Sequence, residues 1–441
     1  MQAVIMAGGK GTRLRSITND EIPKPMALVA GKPILLWQME QLQRQGITDI
    51  ILVIGHLGNK IQEYFHDGQQ FGLHISYIRE TRPLGTAGSL SLLPPLLTGD
   101  NFFLIFGDVL FDIDLGRMMR FHREKRACAT LFVHPNTHPF DSDLVLCNKE
   151  GRLTGFDSKN NKRDYWYHNC VNAGFYLMEK EICSRVPQEA KMDLEKELLF
   201  GLIKEGAAVY GYRSPEYIKD VGTVERILKA EEELLSGFAS DRNLRNKQKA
   251  IFLDRDGTIN RKNGLVYQDD QLELEDCVVQ AVRQINSSGY LAIVITNQPV
   301  VARGLCSMED VERIHSKLET LLGREGAYLD EICFCPHHPD KGYPEENPDY
   351  KIPCRCRKPD IGMLKRCADK YNINLSVSWM VGDTTVDIQT GKNAGTKTAL
   401  LLTGDGGTDG KYSVAPDITE KNLYEAIKVI LADSKGVGNG L

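Results

Sequence analysis

Apolar runs of strand length alternate with amphipathic stretches along most of the chain. Gln2–Ala7 (QAVIMA) is an apolar run that stops at glycines, which predicts a buried strand. Ile34–Gly46 has helical spacing and ends on a glycine, a common helix stop. Asp49–Gly55, Phe102–Phe111 and Asn172–Met178 read as further strands, and Met192–Gly206 as a helix. After residue 249 the alternation resumes: Ala250–Asp254, Leu291–Thr296, Glu331–Pro336 and Val377–Asp383 as strands, Met308–Gly326 as a helix. Apolar strands separated by amphipathic helices predict mostly parallel sheets covered on both faces. No short-period repeat interrupts the pattern, and no hexapeptide β-helix repeat is present.

The pattern breaks once, from about Glu231 to Leu244, where a charged helix end runs into SGFASDRNLRNKQK. We therefore expect a first domain over residues 1–238, a linker over 239–248 and a second domain over 249–435. A chain of 441 residues suits two such domains. Its charged share of 26% and hydrophobic share of 42% are those of an ordinary globular protein. A net charge of −5, with no long basic tract, argues against nucleic acid as a partner. No signal peptide or membrane span is legible at the N-terminus, so a cytoplasmic protein without a membrane partner is expected. In that compartment the 11 cysteines read as thiols or metal ligands rather than disulfides.

The first half carries several small-residue loops and isolated charges at strand ends. Gly8, Gly9, Gly11, Thr12 and Arg13 follow the first strand, and such a loop can turn backbone N–H groups toward an anion. It lacks the Gly-Lys-Ser/Thr ending of a P-loop and the Gly-x-Gly-x-x-Gly dinucleotide spacing. Pro23–Pro25 holds Lys24 in a stiff segment, Gly85, Thr86 and Gly88 form a second small-residue loop, and Asp108 and Asp220 stand at strand ends. Taken singly, Lys159 reads equally as a surface lysine and Asp220 as a helix cap. In this order, with Lys159 in DSK and Asn172 in NAG, the set resembles the sugar-1-phosphate nucleotidyltransferase family over about residues 1–235. The resemblance implies attack of a sugar-1-phosphate oxygen on the α-phosphorus of a nucleoside triphosphate, with loss of pyrophosphate. It places the Gly8–Arg13 loop on the triphosphate, with Arg13 at the leaving group, and Lys24 on the α-phosphate. Asp108 and Asp220 would hold Mg²⁺, Gly85–Gly88 would border base and sugar, and Lys159 and Asn172 would hold the sugar phosphate.

The second half carries a different device. Asp254 and Asp256, two residues apart at a strand end, can serve as nucleophile toward phosphorus and as proton donor to the leaving oxygen. Gly257 permits a sharp turn there. Thr296 ends the next strand, Lys358 offers a fixed positive charge, and Asp383, with Asp387 four residues on, ends another strand. This four-part set resembles the haloacid dehalogenase superfamily of phosphatases over about residues 249–410, and assigns Mg²⁺ to Asp254, the Asp256 carbonyl and Asp383. Between Glu331 and Lys358, Cys335-x-His337 and Cys354-x-Cys356 flank a loop rich in Pro, Asp and Glu. Three thiolates and an imidazole suit tetrahedral structural Zn²⁺, a clip for a loop (335–356) that cannot bury apolar surface. Cys333 and His338 are taken as bystanders. The zinc loop resembles that of the heptose-1,7-bisphosphate 7-phosphatase and histidinol-phosphatase branch. That likeness implies sugar contacts from Lys262, Asn263, Gly264 and Leu265, from Asn297 and Gln298, and from Arg303 and Arg357. Pro299-Val300 departs from the Ser-Gly expected after TNQ.

Together the two resemblances imply two Rossmann-like three-layer α/β/α domains acting in sequence. The second would strip the 7-phosphate from a heptose 1,7-bisphosphate. The first would join the remaining heptose 1-phosphate to a nucleotide, GTP favoured by pathway logic. The rival expectations are a mannose-1-phosphate-type transferase fused to a phosphatase of another substrate, histidinol phosphate included, and a non-catalytic sugar-nucleotide sensor as first domain.

Overall fold

The computed structural model describes residues 1–9, 21–340 and 342–436. Gly11, Thr12 and Arg13 lie outside the described residues. Tight packing divides the chain into two units. The first takes residues 1–134, 143–158 and 170–243; the second takes 135–142, 159–169 and 244–441. Two short excursions of the N-terminal half thus belong to the second unit.

The principal elements of the first unit are β1 (Gln2–Met6), α1 (Ile34–Gln43), β2 (Asp49–Ile54), β3 (His74–Arg79), β4 (Asn101–Phe106), β5 (Val109–Asp112), α2 (Leu115–Lys125), β6 (Ala129–His134), β7 (Leu144–Cys147), β8 (Leu153–Asp157), β9 (Val171–Glu179), β10 (Val209–Arg213), β11 (Tyr217–Asp220) and α3 (Val224–Leu235). Nine strands form one sheet, in the order β8-β7-β9-β4-β1-β2-β3, with β6 beside β9 and β10 beside β6. The centre is parallel: Val4 stands opposite Ile51 on one side and Leu104 on the other. β9 runs antiparallel to β4 and β6, so the sheet is mixed. The run Phe102–Phe111, expected as one strand, is two. It breaks at Gly107–Asp108, and β5 pairs with β11 in a separate ribbon. A Cβ on Gly107 would stand 2.9 Å from the Met6 carbonyl oxygen, so only glycine lets the chain turn so close to β1.

Strand alternation divides the core into two faces. Ala3, Ile5, Ile50, Leu52, Phe103 and Ile105 pack with Leu35, Met39 and Leu42 of α1 and Met118 of α2. Val4, Ile51, Val53, Phe102 and Leu104 pack on the other side with Leu90, Leu194, Leu198 and Leu202.

The second unit contains β12 (Lys249–Leu253), α4 (Val278–Asn286), β13 (Tyr290–Asn297), α5 (Met308–Arg324), β14 (Glu331–Cys335), α6 (Gly362–Tyr371), β15 (Trp379–Gly382), α7 (Thr385–Ala394), β16 (Lys397–Leu401), β17 (Ile418–Glu420) and α8 (Leu423–Gly436). Its six strands are all parallel, in the order β14-β13-β12-β15-β16-β17. Ile251, Leu253, Ala292 and Val294 meet α4, α5 and α8 on one face. Ala250, Phe252, Leu291 and Ile293 meet Met363, Leu364, Cys367 and Tyr371 of α6 on the other. The central strand β12 is therefore buried on both sides, and its carboxyl end opens at the edge that β13 and β15 share. The excursion at 159–169 is tied to α5: Tyr167 N–H donates to Thr320 Oγ1 (2.9 Å), and His168 Nδ1 lies 2.8 Å from Glu319. Among the described residues no helix is long and apolar enough to cross a membrane.

One buried group of the first unit makes its stability depend on pH. His122 of α2 is 4% exposed, with Nδ1 2.8 Å from Thr130 Oγ1 and Nε2 3.2 Å from Asn101 Oδ1. Burial lowers its pKa to about 4. The unfolded chain takes up this proton below about 6.5 and the folded chain only near 4. The associated stability is thus complete above about 6.5 and is lost as pH falls toward 4, by about 2 kcal/mol between pH 7 and pH 5. Hydrogen-exchange protection of α2 and β6 should fall over that interval, and His122→Asn should flatten the fall.

Candidate active sites

In the second unit, Asp254 leaves β12 at the carboxyl edge of the sheet. Its Oδ1 accepts from the Arg255 N–H (2.7 Å) and lies 2.9 Å from Lys358 Nζ. Lys358 is itself buried, its ammonium group bridging Asp254 and Asp387, the latter at 2.6 Å. Burial opposes the charge on Lys358, but the two carboxylates outweigh it and hold its pKa above the ordinary lysine value. Burial, with the Asp387 charge next, pushes Asp254 up to about 7 and Asp383 up to about 6. The main chain of Lys358 is fixed by Asn297, whose Oδ1 accepts from Lys358 N–H (3.0 Å) and whose Nδ2 donates to Lys358 C=O (3.2 Å). Asn297 is thus spent on backbone, at the end of β13.

Asp256 sits in a clamp. The fully buried Arg255 guanidinium donates to Asp256 Oδ1 through Nε (3.1 Å) and Nη2 (2.9 Å). Asn260 Nδ2 adds a bond to Oδ1 (3.0 Å), and Gln298 Nε2 adds one to Oδ2 (2.8 Å). Gln298 also accepts from Arg255 Nη2 (2.9 Å) and donates to Thr296 Oγ1 (3.0 Å). Burial raises the Asp256 pKa, but Arg255 and these donors outweigh it and leave it below the usual carboxylate value. Gln298 is 1% exposed, and its amide is engaged by the clamp. The turn after Asp256 requires its glycine: Gly257 has φ +80°, and a Cβ there would lie 2.3 Å from Asp383 Oδ2.

The donors around Asp254 suit a divalent cation. Asp254, Asp383 and Asp387 form one buried acidic group. Asp387 is occupied by Lys358 and by the Thr384 hydroxyl (2.5 Å). Asp383 Oδ1, in contrast, is buried and has no hydrogen-bond partner, which is the state of an oxygen that can serve a metal. Cys335, His337, Cys354 and Cys356 converge on one point. The sulfur pairs lie 3.2–3.4 Å apart, and His337 Nδ1 is 3.4 Å from Cys356 Sγ. Those separations approach the roughly 3.8 Å edge of a tetrahedron with Zn–S arms of about 2.3 Å. Burial lowers the His337 pKa, which favours the neutral ring a metal needs. Cys333 stands apart, with Sγ 3.1 Å from Cys367 Sγ, and His338 packs against Tyr343 instead.

Around the mouth, Lys262 reaches Asp405 (2.5 Å) and Asp383 (3.5 Å). Gly264 has φ +82°, Asn263 is exposed, and Leu265 packs against the Val300–Val301 cluster. Arg303 lies over the Tyr343 ring (4.3 Å), and Arg357 donates to the His337 carbonyl (3.1 Å).

In the first unit, Gly8 and Gly9 leave β1. Lys24 forms an ion pair with Asp108 and lies 3.9 Å from Asp220 Oδ1. Asp220 Oδ1 is buried without a hydrogen-bond partner, which again leaves it available to a cation. Arg226 of α3 pairs with the other oxygen at 2.5 Å, a partner the linear pattern did not reveal. Gly85 and Gly88 pack so closely on the Ala190–Met192 backbone that a Cβ would stand 2.5 Å from Met192 O and 2.2 Å from Ala190 O. Thr86 Oγ1 accepts from Leu194 N–H (2.7 Å). Asn172 Nδ2 donates to Glu195 (2.7 Å), a half-buried carboxylate whose pKa burial raises; Glu195 was missed because MDLEKELL reads as an ordinary helix start. Lys159 is not brought to Asn172 as a member of one unit. It lies in the excursion belonging to the second unit and pairs with Asp141 at 3.2 Å.

A family model for nucleotidyl transferases matches residues 2–237, and that match spans more than half of the chain. The chain belongs to the nucleotidyl transferase family. Its second half belongs with the haloacid dehalogenase (HAD) hydrolases: a HAD-hydrolase-like model matches residues 355–426. Over 53% of the chain and 98% of the relative, it is 33% identical to D-glycero-alpha-D-manno-heptose 1-phosphate guanylyltransferase of Aneurinibacillus thermoaerophilus. Over 42% of the chain and 97% of the relative, it is 35% identical to D-glycero-beta-D-manno-heptose-1,7-bisphosphate 7-phosphatase of Yersinia pestis. The transferase half also resembles mannose-1-phosphate guanylyltransferase of Mycobacterium tuberculosis, at 33% identity over 56% of the chain and 67% of the relative. A transferase half and a phosphatase half therefore share one polypeptide.

The position of Gln298 separates two roles for it. A residue that holds Asp256 should act on turnover and one that touches sugar should act on affinity. Gln298→Ala should lower the phosphatase kcat by about 10- to 100-fold with KM little changed.

Proposed function

We propose that the chain is a bifunctional enzyme of nucleotide-sugar biosynthesis. The second unit hydrolyses the 7-phosphate of D-glycero-D-manno-heptose 1,7-bisphosphate. The first transfers GMP from GTP to the resulting heptose 1-phosphate and releases pyrophosphate. The observation that carries this reading is that relatives of the two halves are named for successive compounds: removing the 7-phosphate from D-glycero-alpha-D-manno-heptose 1,7-bisphosphate, the compound named for the 7-phosphatase of Burkholderia mallei, leaves the alpha-heptose 1-phosphate named for the transferase relative.

In the phosphatase, an Asp254 oxygen attacks phosphorus and the bond to the sugar oxygen breaks. Asp256 gives a proton to that oxygen, a step that requires bound substrate to offset the Arg255 clamp favouring its ionised form. Ionised Asp256 then takes a proton from water, whose oxygen attacks the aspartyl-phosphate and frees Asp254 and inorganic phosphate. Lys358 and Thr296 hold the phosphoryl oxygens. In the transferase, Lys24 and Arg13 neutralise the triphosphate while the sugar phosphate, held at Asn172, attacks the α-phosphorus. Asp254, the Asp256 carbonyl and Asp383 in one unit, and Asp108 and Asp220 in the other, would hold Mg²⁺, which would supply charge neutralisation. Cys335, His337, Cys354 and Cys356 would hold Zn²⁺, which would fix the loop that leads to Lys358.

The protein should be incubated with Mg²⁺, α- or β-heptose 1,7-bisphosphate and each of the four nucleoside triphosphates, with mannose 1-phosphate as a competing acceptor. Phosphate release followed by formation of a guanosine diphosphate heptose is the expected result. Absence of either product refutes the joint reading, and preference for mannose 1-phosphate refutes the acceptor assignment. Asp254→Asn should stop phosphate release alone, and Asp108→Ala nucleotide transfer alone. Elemental analysis should find one zinc per chain, and Cys354→Ser should lose it together with thermal stability of the second unit.

A further inference from the structure

The loop after β16, Thr403–Gly410, was not singled out by its sequence, yet it is bonded to the phosphatase site at several points. Thr403 Oγ1 donates to the Gly257 carbonyl (2.6 Å), and Gly407 N–H donates to the Asp383 carbonyl (2.8 Å). Asp409 accepts from Thr385 N–H (2.7 Å) and from its hydroxyl (2.8 Å). Gly404 has φ +54°, and a Cβ there would stand 2.1 Å from Asp383 Oδ2, so the backbone lies directly against that carboxylate. Asp405 N–H donates to Asp383 Oδ2 (2.8 Å). One oxygen of Asp383 is thereby occupied, and the other, Oδ1, is left buried without a partner.

Lys262 is the cation that stands to neutralise Asp383. Its ammonium group is only 3.5 Å from Asp383 Oδ2, but its close partner is Asp405, at 2.5 Å. Asp383 is fully buried, whereas Asp405 is 37% exposed, so a lysine released from Asp405 would find in Asp383 a carboxylate with far less water competing for it. A lysine seated on Asp383 would oppose a divalent cation at the same carboxylate.

We propose that Asp405 is a positioning residue of the phosphatase: its carboxylate draws the Lys262 ammonium aside and leaves Asp383 to the divalent cation. The proposal rests on the reading that Asp383 holds such a cation. It departs from the expectation that Lys262 serves only the sugar, because it gives the lysine a resting partner and gives that partner a function.

The test uses Mn²⁺ as the probe, titrated into the zinc-loaded full chain and followed by electron paramagnetic resonance. The Asp383→Asn chain serves as the blank that removes the phosphatase-site ion. Asp405→Asn should weaken Mn²⁺ binding at that site by about tenfold. Adding Lys262→Met to it should restore the parent affinity, and in the Lys262→Met background Asp405→Asn should have no effect. Two results overturn the proposal: unchanged affinity in Asp405→Asn, or a loss that persists when Lys262 is absent, which would mean that Asp405 acts through its own charge or through the loop. If Asp383→Asn binds as much Mn²⁺ as the parent, the cation reading itself fails. Asp405→Glu, which keeps the charge, should retain the parent affinity and guards against a folding defect in Asp405→Asn.

Discussion

A buried ammonium group between two buried carboxylates governs the phosphatase half. Lys358 is 2% exposed at its side chain and touches both Asp254 and Asp387. Taking three charges out of water is costly, and it is tolerated because the geometry satisfies them together. Removing Lys358 would leave two neighbouring buried carboxylates uncompensated, at about 3–5 kcal/mol. The arrangement needs Asp254 at the end of β12, Asp387 on α7 and Lys358 on the strap that leaves the loop closed by Cys335, His337, Cys354 and Cys356. The strap is held at both Lys358 main-chain polar groups by Asn297. Cys356 lies two residues before Lys358. The Cys335–His337–Cys354–Cys356 quartet and Asp254 are thus linked through a few residues of backbone, and ordering of the loop becomes ordering of the site.

The two units meet different chemical demands with different charge patterns. The phosphatase half concentrates carboxylates at one sheet edge and tempers them with Lys358, Arg255 and Lys262. The transferase half spreads its charges more thinly: Lys24 stands between Asp108 and Asp220, and Arg226 shares Asp220. A site that forms an aspartyl-phosphate needs a carboxylate free to attack, and a site that exchanges one phosphoryl bond needs cations near several oxygens.

Features that depend on neighbours in sequence were legible. Alternation of apolar residues located β1, β2, β12 and β13, and the strand-end residues Asp254, Thr296 and Asp383 could be placed because a parallel sheet collects its carboxyl ends. The convergence of Cys335, His337, Cys354 and Cys356 was legible because both pairs are short-range. Strand direction was not: an apolar run such as Asn172–Met178 carries no mark of running antiparallel to β4. The break at Gly107–Asp108 was hidden because both flanks are equally apolar. The Asp256 clamp and the Asp405 contact depend on groups 42 and 143 residues apart, which no local pattern reports. Gln298 and Asn297 look like polar strand-end residues facing substrate, yet the fold turns one to the Asp256 carboxylate and the other to backbone.

The excursions at 135–142 and 159–169 give the fusion a further meaning. They are encoded in the transferase half of the sequence but built into the second unit, where His168 and Tyr167 bond Glu319 and Thr320. A cut in the segment before β12 would therefore not yield two complete bodies. It would leave Glu319, 2% exposed at its side chain, and Thr320, fully buried, without partners carried by the other polypeptide. The seam between the two family likenesses along the sequence and the seam between the two packed units do not coincide.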